Sequence, residues 1–350
     1  MGQGLAGSCL ALRLLNLGKR VVVFDEPDQN RSSAVAAGLF NPITGKLLTR
    51  TWLADHLFPE LHHFYQSMED WLGQKFFYPQ EVYRPFISVE EQNEWMSKSA
   101  EAAMRPYIKH VYTTSAFQEQ INDPLGGILI SRAGFIDVTG FMNAARQYLL
   151  EHDGFLAERF DEDDLQVTDS GVMYLQYQSR KIILCTGTAL SQSKRFVGIP
   201  VKPLKGETLT ISLLKEPELI FNRGVYIVPW PSGSGKRYKV GATYEARAVN
   251  PGVTEGGRME LLSRLNELLK IDYCIEDQEW GFRPTSPDRR PILGYYPGLE
   301  NVVIFNGLGT KGVSLAPFFS AQLANWLLGI GEIQSDVNIA RFKSLSSKSQ

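Results

Sequence analysis

The stretch Gly2-Gln3-Gly4-Leu5-Ala6-Gly7 decides the fold, together with the helical pattern Ser8–Leu17, the stop at Gly18 and the run Val21-Val22-Val23-Phe24-Asp25-Glu26 that follow it. The spacing is GxGxxG at the head of a helix, followed by a β-branched run suited to a buried parallel strand. The first two glycines permit a tight turn and close approach of backbone to a pyrophosphate. The third lets helix and strand pack closely, and the helix N-terminus faces the phosphate charge. Asp25 stands 18 residues beyond Gly7, where a carboxylate accepts from ribose hydroxyls. An acid there, rather than an arginine, favours FAD or NAD over NADP. The fingerprint ordinarily follows a strand, yet here it opens at Met1. The first strand of the unit is therefore expected to be missing, through a misassigned start or a clipped chain, or else replaced in some other way. Its loss would leave two ladder edges exposed.

Working outward, helices are predicted at Leu57–Leu72, Ser88–Ala103, Val138–Glu151, Arg258–Leu269 and Pro317–Leu328. Phe155–Val167 and Val172–Tyr177 read as antiparallel strands about the turn Thr168-Asp169-Ser170-Gly171. Lys181–Cys185 is a second buried strand ending in Thr186-Gly187-Thr188, where a glycine lets backbone approach the cofactor. Val82–Ile87 is strand-like, and Lys202–Leu214 and Gly224–Tyr244 read as an antiparallel sheet. Within the latter, Ser232-Gly233-Ser234-Gly235 is a turn: the phosphate-loop rule GxxxxGK[ST] fails at Trp230 and Arg237. Val302–Phe305 is a last short strand, and Gly307–Gly312 a glycine-rich loop opening onto the final helix. Nucleotide-binding pieces thus fall at the start, middle and end, with antiparallel sheet between them. The expected class is α/β. Segments 1–46, 134–203 and 283–335 form a discontinuous Rossmann-like cofactor domain, and 47–133 and 204–282 an interleaved α+β substrate domain. The polar tail 336–350 is expected to fray.

Composition narrows the partners. With 350 residues, 43% of them hydrophobic, a two-domain core is readily buried. A net charge of -2 argues against nucleic acid or an anionic membrane as the main partner. No window reaches 18 apolar residues, so no membrane span is expected. Cys9, Cys185 and Cys274 form no CxxC pair, which suits a reducing cytoplasm. The five histidines lack metal-ligand spacing and no GxSxG elbow occurs, so neither a metal nor a hydrolytic nucleophile is expected.

Across nearly its whole length the chain resembles the FAD-dependent D-amino-acid oxidase superfamily, including glycine oxidase, sarcosine oxidase and the flavin domain of the bifunctional tRNA wobble-uridine enzyme. Gly2–Gly7 with Asp25 and Glu26 is similar to that family's FAD fingerprint, and Ser33-Ala34-Val35-Ala36-Ala37-Gly38-Leu39 to the segment passing under the flavin. Thr186-Gly187 fits a third signature, Trp280–Asp288 with Pro291–Gly294 a fourth, and Asn306–Gly312, running on to Val313, the closing flavin loop. In that family the cofactor contacts would come from Gly2, Gly4, Leu5, Ala6, Gly7, Asp25, Glu26, Ser33, Ala37, Gly38, Leu39, Thr186, Gly187, Arg283, Gly307, Gly309, Thr310, Lys311, Gly312 and Val313.

The resemblance further implies that Arg283 clamps a substrate carboxylate. A planar guanidinium suits that task on its own merits, although an ion pair in the interdomain wall would need the same residue. Tyr226 falls on the pocket tyrosine. Tyr244 replaces a smaller apolar residue of glycine oxidase, which leaves the substrate open. Lys311 would stabilise the reduced flavin as a nearby cation. Neither Cys185 nor Cys274 is placed for covalent attachment, so FAD is expected to be held without a covalent bond, with both cysteines in the core. The implied reaction is hydride transfer from a small amine or amino acid to the flavin, then imine hydrolysis and reoxidation by dioxygen. A dehydrogenase or tRNA-modifying oxidase of the same superfamily, or a non-catalytic flavin-binding remnant, are the alternatives. A homo-oligomer stays open.

Overall fold

The glycine turn shapes the N-terminal unit as its spacing requires. Helix α1 (Leu5–Asn16) starts directly on it and ends at Leu17, with Gly18 in the left-handed region at φ 69°. The helix begins three residues earlier than expected, because Leu5, Ala6 and Gly7 are themselves buried against the sheet. A methyl on Gly7 would overlap the carbonyl oxygen of Gly2, so only glycine allows this approach. The computed structural model describes residues 1–26, 32–44, 49–231, 235–246 and 250–342. Ser232, Gly233 and Ser234 of the expected turn, and 343–350 of the tail, lie outside them.

Beside α1, Val23–Phe24 pairs in parallel with Phe155–Leu156, and Ile182–Leu184 in parallel with Leu299–Asn306. Ile292–Tyr296 adds an antiparallel strand to the second pair. Met1 and Gly2 hydrogen-bond to both pairs. The Met1 amino group donates to Ile183 O at 2.7 Å, Cys185 N–H donates to Met1 O at 2.8 Å, and Gly2 N–H donates to Phe24 O at 2.8 Å. The remaining helices are α2 (Ser32–Val35), α3 (Ala54–Leu72), α4 (Val89–Lys98), α5 (Val138–Glu151), α6 (Glu255–Leu268) and α7 (Gly312–Leu327). No helix among the described residues is long and apolar enough to cross a membrane.

An eight-stranded sheet carries the other half of the molecule. In spatial order its strands are Tyr273–Thr285, Lys202–Leu213, Arg237–Gly241, Val225–Pro229, Ile220–Arg223, Val82–Pro85, Gly127–Ile130 and Ile108–Tyr112. Every neighbour is antiparallel except Val82–Pro85 with Ile220–Arg223. The strand period of two sends alternate side chains to opposite faces. Leu209, Ile211, Phe221, Ile227 and Val240 point outward onto α6 residues Leu261 and Leu265. Val82, Ile128, Ile130, Ile220 and Val228 point inward and join the main core of α1, α3, α5 and α7. The inner face therefore looks at the half that carries the glycine turn.

Several boundaries differ from the sequence reading. The last helix starts at Gly312 rather than at Pro317, and Gly309–Lys311 of the expected loop is a turn of 3-10 helix. Pro317 lacks the N–H that would meet the carbonyl of Val313, and the buried hydroxyl of Tyr65 donates to that carbonyl instead at 3.1 Å. A hydrogen bond from a distant helix thus lets proline sit inside. The expected strand Phe155–Val167 is two pieces, Phe155–Leu156 and Leu165–Thr168, with only the latter in the hairpin with Gly171–Tyr174. Helix α4 stops at Lys98, short of Ala103. The tail is not frayed at its start: Val337 is 0% and Ile339 3% exposed, and Arg341 pairs with Asp288 at 2.8 Å. Cys9 is buried as a core residue, whereas Cys274 is exposed.

Candidate active site

Three distant segments meet at the head of α1. The backbone of Gly2 packs on Cys185 and Thr186, so closely that a Cβ there would sit 2.6 Å from Cys185 O. Asn306 Nδ2 donates to Gly187 O at 3.0 Å, which ties the closing loop to the middle one. Gly312 lies against Leu5 of α1. Gln3 N–H donates to Asp25 Oδ1 at 3.0 Å, so one carboxylate oxygen anchors the turn at the strand end. Glu26, half-buried, follows it. Ser33 on α2 stands near Leu5 N–H, with Oγ at 3.4 Å, and Gly4 stands beside Ser33. Ala37 is buried, and Gly38 and Leu39 enter a short strand paired with Phe135.

This arrangement fits a dinucleotide. The N-cap of α1 is Gly4, with no side-chain cap, so the positive end of the helix is left for an anion. A Cβ on Gly187 would meet nothing within 4 Å, and one on Gly309 would meet Thr285 Oγ1 first at 3.7 Å. Both glycines sit at positive φ and border open space rather than packed chain. Thr310 is exposed beside them, Gly307 packs on Ile292, and Val313 is buried in the first turn of α7.

The inner sheet face supplies the opposite wall. Gly281 packs on Ser32 of α2, and Thr285 bridges to Leu308 of the closing loop; Arg283 lies between these two contacts on the same strand. Its guanidinium reaches over Gly206, where any Cβ would overlap it. Nη1 donates to Thr243 O at 3.2 Å and, more weakly, to Lys205 O at 3.5 Å. The Tyr244 ring, 63% exposed, stacks 4.9 Å from the guanidinium carbon. Among the described residues no carboxylate pairs with Arg283. Tyr226 extends over Gly241, its hydroxyl 2.7 Å from where a Cβ would be. Burial raises the phenol's pKa, with the nearby Arg283 charge opposing. Arg283, Tyr226 and Tyr244 are thus brought together.

Lys311 closes the groove from the other side. Its Nζ donates to Thr44 Oγ1 at 3.1 Å and Thr51 Oγ1 at 3.4 Å, and no carboxylate among the described residues pairs with it. Burial pushes its pKa down, and the charge of Arg289 pushes it further.

Several buried polar neighbours escaped the sequence reading. Lys205 and Glu207, 2% and 0% exposed, form an ion pair at 3.1 Å on the outer face behind Arg283. Lys239, 1% exposed, pairs with Glu279 on the inner face and lies 4.2 Å over the Trp230 ring. Burial pushes its pKa down to about 8, with Asp277 opposing. Gln3 is wholly buried, its amide donating to Met142 O at 2.8 Å and accepting from Arg146 Nε at 2.8 Å. The signal for Lys205 and Glu207 was present: opposite charges two apart on a strand share one face.

Comparison with known proteins fits this geometry. The "FAD dependent oxidoreductase" family model matches residues 1–326. The bifunctional protein ThiO/ThiG of Nostoc sp. is 27% identical over 100% of this chain, which covers 55% of that protein. The tRNA 5-methylaminomethyl-2-thiouridine biosynthesis bifunctional protein MnmC of Idiomarina loihiensis is 22% identical over 98% of the chain, covering 58% of its own length. The chain thus spans little more than half of these curated relatives. The crystal structure of glycine oxidase from Geobacillus kaustophilus superposes with TM-score 0.75 and 19% identity, covering 95% of this chain and 94% of that one, a likeness of fold. With a family match over most of its length and three glycine-bearing segments meeting at the head of α1, the chain belongs to the FAD dependent oxidoreductase family, with FAD as its cofactor.

Proposed function

We propose that this chain oxidises the C–N bond of a small amine or amino acid that carries a carboxylate, with FAD held non-covalently and dioxygen as terminal acceptor. One observation carries the reading: Arg283 stands on the cofactor-facing side of the sheet, held by carbonyl oxygens and an aromatic ring and by no carboxylate among the described residues. A cation so placed suits a bidentate carboxylate ligand. FAD, when bound, supplies the two-electron acceptor that takes the donor's hydrogen as hydride. The protein's part is orientation. Arg283 grips the carboxylate and thereby fixes the adjacent carbon, Tyr226 offers a hydroxyl beside it, and Tyr244 shields the guanidinium at the mouth. Lys311 adds positive charge at the closing loop. The donor loses a hydride and a proton, and water splits the resulting imine to an oxo acid and ammonia or an amine.

The names of the relatives favour the same class. One is a glycine oxidase, and a superposing crystal structure is an iminodiacetate oxidase. The test is anaerobic mixing of the FAD-loaded protein with glycine, sarcosine, iminodiacetate and D-amino acids. Bleaching of the flavin band by at least one of them, and peroxide on readmitting air, is expected. A band that no carboxylate-bearing amine bleaches defeats the proposal. Bleaching without peroxide leaves a dehydrogenase.

A further inference from the structure

We propose that Lys205 and Glu207, buried on the outer face of the sheet, are positioning residues that hold Arg283 in its carboxylate-binding pose. The inference rests on the reading of Arg283 given above. It is carried by three consecutive residues, Lys205-Gly206-Glu207, whose strand alternation points Lys205 and Glu207 outward and Gly206 inward. Inward, the missing side chain of Gly206 is the space that the guanidinium fills. Outward, the Lys205 ammonium and the Glu207 carboxylate meet at 3.1 Å.

Glu207 is saturated with donors. Besides Lys205 it accepts from Thr254 N–H at 2.9 Å, Thr254 Oγ1 at 2.8 Å and Gln278 Nε2 at 2.7 Å. Its backbone is tied twice to Thr243: Glu207 N–H donates to Thr243 Oγ1 at 2.9 Å, and Thr243 N–H donates to Glu207 O at 3.1 Å. The two carbonyl oxygens that receive Arg283 Nη1 belong to Thr243 and Lys205. Both acceptors therefore sit on residues bonded directly to Glu207. A buried ion pair is a poor source of stability compared with apolar packing, but it fixes one arrangement of the strands that carry it. Here the arrangement fixed is the pair of carbonyls that aims the guanidinium. Neither Lys205 nor Glu207 faces the groove, so they act only through Arg283.

The test uses the FAD-loaded protein and acetate, a carboxylate without nitrogen, titrated while the visible flavin band is followed. Wild type is expected to give a saturable perturbation that Arg283→Met abolishes. Lys205→Met combined with Glu207→Gln removes both buried charges. It is expected to weaken acetate binding roughly 10-fold, and to raise KM for the oxidised amine by a similar factor with kcat within about twofold. A purely structural role would lower the unfolding temperature without moving acetate affinity measured well below it. A double variant that keeps FAD and binds acetate within about twofold of wild type overturns the proposal. Should that variant lose FAD, Thr243→Val decides, since it deletes one tie and leaves the ion pair. A loss of roughly threefold supports positioning, and unchanged affinity refutes it. If Arg283→Met itself leaves the acetate response intact, the reading of Arg283 fails instead, and the two failures are thereby distinguished.

Discussion

Two clusters of charge, one on each face of the eight-stranded sheet, are partnered in opposite ways. On the outer face, Lys205 and Glu207 are enclosed under α6 and every polar atom of the carboxylate has a donor. On the inner face, among the described residues, the polar partners of Arg283 are carbonyl oxygens and a ring, and those of Lys311 are hydroxyls. A buried charge with a full partner set is part of the fold, because taking it from water is compensated within the chain. A half-buried cation left with neutral acceptors has compensation outstanding, which an anionic ligand can supply. On the proposed reading, Arg283 and Lys311 are the cations open to a ligand, and Lys205 with Glu207 holds the first of them still.

The largest effect expected from breaking this contrast is on the outer face. Glu207→Gln leaves the buried Lys205 ammonium with only the more distant, half-exposed Glu245 at 3.9 Å and disturbs the cap of α6, at a cost of about 3 kcal/mol in chemical denaturation. The pH dependence has a definite sign. Burial alone would raise the Glu207 carboxyl, but hydrogen bonds from Thr254, Lys205 and Gln278 together hold it below its ordinary value of 4.5. Its stabilising share is therefore full above pH 4.5 and is lost as the pH falls through the lowered value. Wild type should lose stability in that acid range more steeply than Glu207→Gln. Parallel acid limbs would mean that the carboxylate is not the stabilising form.

Next in size is Arg283→Met, where the effect should fall on the ligand and not on the fold. Removing a guanidinium that no carboxylate among the described residues balances should change stability by less than about 1 kcal/mol. The kcat/KM for a carboxylate-bearing amine should fall by roughly 30- to 1,000-fold, corresponding to about 2–4 kcal/mol of lost contact. The same amine without its carboxylate should be almost unaffected. Equal losses on both donors, or a large drop in stability, would place Arg283 with the outer-face charges.

Legibility divides along the same line. The glycine turn, α1 and the strand ending at Asp25 were readable because their cause is local: contiguous glycines, a helical period and a strand within 26 residues. The meeting of the Gly187 and Asn306 loops was expected from nucleotide-binding pieces at the start, middle and end, but the hydrogen bond that ties them was not, since no spacing rule joins residues so far apart. The start of α7 was missed because proline is ordinarily read as a boundary, and the hydroxyl that tolerates it comes from Tyr65. Lys205 and Glu207 were not singled out within the strand Lys202–Leu214, since their enclosure is a tertiary fact. Arg283 was nominated from its motif, but that no carboxylate among the described residues pairs with it needed the structure.

The smallest effect concerns Tyr244, which sharpens the comparison at its margin. The ring lies 4.9 Å from the Arg283 guanidinium and is 63% exposed, so it is a large partner of that cation reachable from solvent. A cation–π contact at so exposed a site contributes about 0.5–1 kcal/mol, and a bound carboxylate would draw on the same charge. Tyr244→Phe keeps the face of the ring and should leave KM for a carboxylate-bearing amine within about twofold. Tyr244→Ala frees the guanidinium and should raise KM roughly two- to fivefold with little change in kcat. If Phe costs as much as Ala, the hydroxyl rather than the ring is at work, and Tyr244 then joins Tyr226 as a polar contact to the ligand. If neither changes KM, the ring only covers an arginine whose aim is set entirely from behind, by Thr243 and Lys205.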